Sequence, residues 1–172
     1  MDVSALLTEL VSRIPAVLHK AADGLDADGL GYRPDPEANT VAWLVWHAAR
    51  VQDAQLADAA GLEQVWTSEG WVETLGLPLD ATDTGYGHSP EQVAQVVASA
   101  NDLLGYVDAV AAFAADYVGG LTHAELDRVV DRRWDPPVTL GVRLVSIVVD
   151  ATEHAGQAAY VRGLIDRARA RA

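Results

Sequence analysis

Residues 143–162, RLVSIVVDATEHAGQAAYVR, read as a long apolar helix whose buried stripe is interrupted by two metal-competent side chains. Ile147, Asp150, His154, Ala158, Val161 and Ile165 follow one another at spacings of three and four, so they line one face. The rest of the chain has to cover that face. An acidic residue and a histidine four apart on it are stacked one turn above the other. A buried carboxylate is costly unless something cationic compensates it, and a proton, a salt bridge or a metal ion would each serve.

The partner is sought along the chain. Residues 2–22 carry Val3, Leu6, Leu7, Leu10, Ile14, Val17 and Leu18 at helical spacing, with Pro15 expected to kink the helix or restart it. Residues 23–37, punctuated by three glycines and two prolines, are expected to form a connecting loop. Asn39 or Thr40 is placed to cap a helix over roughly 40–60. On that helix Leu44, His47, Val51 and either Ala54 or Gln55 share a face, so His47 is a second polar intrusion into a core-facing stripe. Trp43 and Trp46 flank it and are candidates to wall a pocket.

The stretch 61–88 has no clean period and is long for a loop, so part of it is expected to pack as a short turn or lid. Within its GYGH run, Tyr86 and His88 are either site-lining residues or turn residues. Ser89-Pro90-Glu91-Gln92 is a capping-box helix start, and the apolar spacing that follows predicts one helix over 90–117, about 40 Å long, stopped by Gly119-Gly120. A polar turn around His123 and a Trp134-Asp-Pro-Pro segment then lead to a final helix starting near Thr139. Four long helices, two substantial loops and no convincing strand make an all-α, four-helix bundle, a single domain over residues 1–172.

The net charge of −13 argues against general nucleic-acid binding, which needs lysine and arginine to neutralise phosphates. The basic tail, Arg162, Arg167, Arg169 and Arg171, is read as complementing the end of the last helix dipole. No signal peptide or membrane span is visible, and a cytoplasmic location is the default expectation. With no cysteine in the chain, thiolate zinc sites and a cysteine nucleophile are excluded, and any thiol chemistry must borrow its thiol.

A catalytic ion wants three protein ligands and an open position, and two histidines with a carboxylate are a recognised set. Asp150 and His154 supply two from one helix turn, and His47 is the candidate third from a facing helix. The ligand set suits zinc, nickel or iron. The competing reading makes Asp150 and His154 a buried polar pair and His47 an ordinary core histidine. Gln157, near His154, is a candidate hydrogen-bond partner to it. Arg50, one turn past His47, is either an anion binder or a solvent-exposed arginine.

Trp43-Leu-Val-Trp-His47 and Asp150-Ala-Thr-Glu-His154-Ala-Gly-Gln157 resemble the two motifs of the DinB-like metalloprotein superfamily, and more narrowly its mycothiol-dependent, maleylpyruvate isomerase-like branch. The resemblance covers the whole chain in helix order and loop placement. It implies an up-up-down-down bundle with long connecting loops, holding one divalent metal, zinc or nickel, on His47, Asp150 and His154. It also implies an S-transferase or isomerase acting on a small electrophile, with mycothiol as co-substrate, and a tendency to form a homodimer. Asp150 departs from the pattern: branch members more often carry glutamate there, and others histidine. The shorter aspartate brings the ion closer to the last helix or holds it more loosely. Two other functions compete with this one, a metal-dependent hydrolase and a non-enzymatic small-ligand binding module with a decayed site.

Overall fold

The computed structural model describes residues 1–171. Helix α1 spans Val3–Ala22, α2 Ala27–Leu30 and α3 Val41–Ala60. Two short helices follow, α4 (Val65–Ser68) and α5 (Trp71–Leu75), then α6 (Pro90–Val93) and α7 (Ala100–Gly119). A 3-10 turn at His123–Asp127 precedes strands β1 (Val129–Asp131) and β2 (Val138–Thr139), and α8 runs Leu140–Arg169.

Side-chain caps fix the long helices. Asp2, Thr40, Ser99 and Thr139 each accept a bond from a backbone amide three residues on, which satisfies an otherwise orphaned donor. Of the two candidates for the start of α3, Thr40 is the cap. The expected helix over 90–117 is instead two helices. The Ser89 capping box forms and Pro90 sits at its start, but α6 ends after one turn. Ser99 then caps a new helix through the Asp102 amide, and α7 runs on to Gly119. A serine with an acidic residue three positions on is itself a start signal, and it interrupts a pattern whose apolar spacing continues through it. Pro15, by contrast, neither restarts nor ends α1, which runs continuously past it. A two-stranded antiparallel hairpin, absent from the sequence expectation, joins Val129 to Thr139 and Asp131 to Val138.

The bundle core consists of α1, α3, α7 and α8, with α1 and α3 each packed against both α7 and α8. Contacts between distant residues set the directions. Ser4 at the start of α1 bonds Gly119 at the end of α7, and His19 meets Asp108, so these two are antiparallel. Gln55 meets Arg143 while His47 meets His154, so α3 and α8 are antiparallel as well. Arg162 of α8 reaches the Ala21 and Asp23 carbonyls at the end of α1. The helices therefore run up, down, down, up, rather than up-up-down-down, because residues 61–99 return along the bundle and set α7 parallel to α3.

A buried polar network ties that return segment to the bundle. Asp53, fully buried on α3, accepts from the Val65 and Trp66 amides at 2.9 and 2.8 Å and from the Tyr106 hydroxyl at 2.8 Å. Arg50, also fully buried, lies 3.7 Å from the Asp53 carboxylate and donates to the Gln64 amide oxygen and to the Asp83 carbonyl. Its guanidinium sits over the Trp66 ring, 4.9 Å from the centroid. Burial keeps the Tyr106 phenol protonated far above its ordinary range, so it remains a donor. Asp53→Ala is expected to destabilise the fold by about 3–5 kcal/mol, because it leaves the Arg50 charge buried and unpaired. Urea unfolding of the variant beside the parent measures this.

Candidate metal centre

His47 enters the interior because Leu44, His47 and Val51 share the face that α3 turns inward, and Asp150 and His154 come from the matching face of α8. One ligand atom from each of these three residues lies within 4.8 Å of the others. Among the described residues this is the one such group of histidine and carboxylate side chains. His47 is buried, while His154 and Asp150 keep 18% and 35% of their side-chain surface, so the group is open on the Asp150 side.

Each ring is fixed through the nitrogen that faces away from the group. His47 Nδ1 lies 2.5 Å from the Thr84 carbonyl oxygen. A carbonyl only accepts, so Nδ1 carries the proton and Nε2 presents a lone pair. His154 Nδ1 lies 3.0 Å from Gln157 Oε1, which likewise frees its Nε2, 3.7 Å from Asp150 Oδ1. Asp150 Oδ2 is buried without a hydrogen-bond partner. A carboxylate with one buried, unpartnered oxygen, grouped with two imidazole lone pairs, is costly as it stands, and a divalent cation satisfies all three groups at once. The donor set fits such an ion.

Burial holds the His47 imidazole below its ordinary range, and the nearby His154 pushes the same way. The Thr84 bond and the Asp150 charge oppose them without prevailing. The folded ring thus resists protonation while the unfolded one accepts it near its ordinary value of 6.5. The unfolded state binds more protons as pH falls through that value, so the metal-free protein should lose stability there. Denaturant midpoints between about pH 7.5 and about pH 5.5 should fall in the parent and flatten in His47→Gln.

Residues Asp83–His88 form a strap across these ligands. Gly85 sits at φ +91°, and a Cβ there would lie 2.7 Å from His47 Nδ1 and 3.0 and 3.1 Å from the Trp46 and Trp43 rings. The Asp83 carboxylate accepts from the Gly85 amide at 2.8 Å and from His88 Nε2 at 2.9 Å. Burial pushes that carboxyl up, but these bonds outweigh it and hold it below the usual carboxylate range. His88 Nδ1 in turn accepts from the Trp43 indole at 3.1 Å, and Trp43 stacks on His47 with centroids 4.4 Å apart. His88 is therefore both a turn residue and a support. Trp43 and Trp46 are buried beneath the strap, with the Trp46 ring stacked on His88 at 6.0 Å. Arg50 is wholly buried, not solvent-exposed, and holds the strap through the Asp83 carbonyl. Tyr86 projects almost fully into solvent at the rim.

A cleft of about 890 Å³ opens beside the ligands. It starts at His47 and Asp150, runs over Val51 and Ala54, and reaches Arg133 and Arg143. Sequence reasoning missed its far end. Arg143 was within reach, since it lies seven residues before Asp150 and so on the same helix face. Asp131, Arg133 and Trp134 belong to the hairpin and carry no periodic signal. Thr84 acts through its backbone, which no side-chain pattern reveals.

No helix among the described residues is long and apolar enough to cross a membrane. A family model described as Mycothiol-S-transferase matches residues 6–167. A crystal structure described as a conserved protein from Enterococcus faecalis superposes with a TM-score of 0.87 at 33% sequence identity, covering 94% of this chain and 96% of that one. Among curated proteins none matches significantly.

Proposed function

The chain belongs to the mycothiol-S-transferase family of DinB-like enzymes, and from that premise we propose that His47, Asp150 and His154 hold one divalent ion, zinc or nickel, with mycothiol as the thiol co-substrate. The observation that carries this reading is the Asp150 carboxylate, with one buried, unpartnered oxygen, grouped within 4.8 Å of two histidines whose other nitrogens are already committed. When bound, the ion supplies a Lewis acid that stabilises a thiolate at neutral pH.

The chain's own residues supply orientation. The Thr84 carbonyl keeps the His47 proton on Nδ1, and Gln157 does the same for His154, so both Nε2 atoms stay available. The Asp150 carboxylate balances part of the cationic charge. Val51 and Ala54 give the cleft an apolar floor, which favours an electrophile with an uncharged middle over bulk water. Sulfur attack that forms a carbon–sulfur bond and expels a leaving group such as chloride is the transferase outcome; reversible addition across a carbon–carbon double bond, rotation and re-expulsion of the thiolate is the isomerase outcome.

A cytoplasmic homodimer acting on a small molecule, without nucleic acid or membrane, completes the proposal. The open end of the ligand group also admits water, so hydrolysis is the second reading. The test is turnover of monochlorobimane or chlorodinitrobenzene by zinc- or nickel-loaded protein, with and without mycothiol. Adduct formation that requires mycothiol supports transfer. Hydrolysis of nitrophenyl esters without any thiol would replace it by the hydrolytic reading.

A further inference from the structure

The far end of the cleft holds a charge arrangement that the metal reading leaves unused. Asp131, buried on β1, is gripped by two arginines. Arg133 donates to it through Nε at 2.9 Å and Nη2 at 2.8 Å, and its backbone amide adds a third bond at 2.9 Å. Arg143 touches the same carboxylate once, through Nη2 at 2.9 Å, and donates through Nη1 to Gln55 Oε1 at 3.2 Å. Bonds from Arg133 are the main reason that the Asp131 carboxyl is held far below its usual range. One carboxylate between two guanidiniums leaves a surplus positive charge, and Arg143 is the partner whose pairing is incomplete.

The side chain of Arg143 is 17% exposed and lines the cleft, whereas that of Arg133 is 79% exposed. Asp58, on the exposed edge of α3, attracts Arg133 across solvent, where such pairing is weak. Of the five N–H donors of a guanidinium, the structure engages two on Arg143. Gln55 and Asp131 fix its plane, and the remaining donors have no partner among the described residues. Trp134, two-thirds exposed, lines the same cleft. Asp58, Asp131 and Asp150 line the same cleft, so the positive charge is local to the two arginines at its far end.

We infer that Arg143, supported by Asp131 and Arg133, is a carboxylate-recognition subsite, so that the electrophilic reactant carries a carboxylate. A planar carboxylate is the anion that a held guanidinium fork pairs with best. Arg143 and Asp150 lie seven residues apart on α8, which sets the carboxylate about 10 Å along the helix from the candidate metal centre. The apolar floor between them suits a short hydrocarbon linker. The reach to the reacting end rests on the proposed metal site; the subsite itself does not.

The first experiment needs neither metal nor thiol. Hexanoate titrated into the metal-free protein should shift the Arg143 Nε–H and Trp134 indole resonances to saturation, while hexanol should not. Arg143→Met should abolish the shift and Arg143→Lys should weaken it, with thermal melting confirming that both variants fold. No saturable shift with hexanoate, or an equal shift in Arg143→Met, would overturn the subsite. With zinc-loaded protein, mercaptohexanoate, a probe that reaches both the candidate metal centre and the subsite, should bind about tenfold tighter than mercaptohexanol, and the difference should vanish in Arg143→Met. A carboxylate-bearing electrophile should show a lower KM than its methyl ester in the parent and no such preference in Arg143→Met. Preference in neither place would overturn the assignment to a reactant. Failure of both thiols to bind while hexanoate still does would sink the metal–thiol reading and leave the subsite standing.

Discussion

His154→Ala is expected to reduce bound metal from about one ion per chain to nearly none, read by elemental analysis of protein purified without chelator or metal resin. The reason is geometric. Among the described residues only three protein ligands are available, and His154 shares the open side of the group with Asp150. Its loss leaves two ligands, His47, buried beneath the strap, and Asp150, too few to hold the ion. Added zinc should raise the melting temperature of the parent and leave that of the variant unchanged. Gln157→Leu makes the useful contrast. It keeps the ligand but releases the Nδ1 bond that fixes its ring, so affinity should fall by about 10- to 100-fold without being abolished. A His154→Ala variant that retained a full complement of metal would show that the ion sits elsewhere.

Gly85→Ala is expected to damage the site and the fold together. Its backbone lies at φ +91°, a conformation costing about 1–2 kcal/mol for any residue with a Cβ. The added carbon would also sit 2.7 Å from His47 Nδ1, with both tryptophan rings close behind. These neighbours are buried and stacked, so the strap itself must lift. Lifting it withdraws the Thr84 carbonyl from His47 and frees the ring to take the wrong tautomer. We expect about 2–4 kcal/mol of destabilisation in urea and at least a tenfold loss of metal affinity. Gly87→Ala is the control. It has φ +74° but nothing within 4 Å of a new Cβ, so it should show backbone strain alone and leave affinity nearly unchanged.

The two helices that carry the candidate ligands were legible because burial imposes a period on sequence. His47 and Asp150-to-His154 stood out as polar residues on stripes that otherwise had to be apolar, and α3 and α8 bring those stripes face to face. The four-helix core was legible for the same reason. What escaped notice works through short-range or backbone chemistry. Ser99 stops one helix and starts another through a single hydroxyl, while the apolar spacing around it runs on undisturbed. The hairpin at Val129–Thr139 is too short to show alternation. Arg50 looked like a surface arginine because its partners, Asp53, Gln64 and the Asp83 carbonyl, are brought together only by the return of residues 61–88 across the bundle. Helix directions depend on that same return path, which is why the order up-down-down-up could not be read from the helices themselves.

The candidate ligands stand on the long helices, yet both banks of the cleft come from segments with little regular structure: the strap at Asp83–His88 on one side and the hairpin at Val129–Thr139 on the other. Replacements at Tyr86 or Trp134, both largely in solvent, leave the packed interior as it is. Ion capture and choice of electrophile are thus inherited on separate footings. A lineage can exchange one substrate for another by rewriting a handful of bank residues, with the reactive centre passed down intact. Among descendants of such a scaffold, divergence should gather on the banks, and the face shared by His47, Asp150 and His154 should stay nearly still.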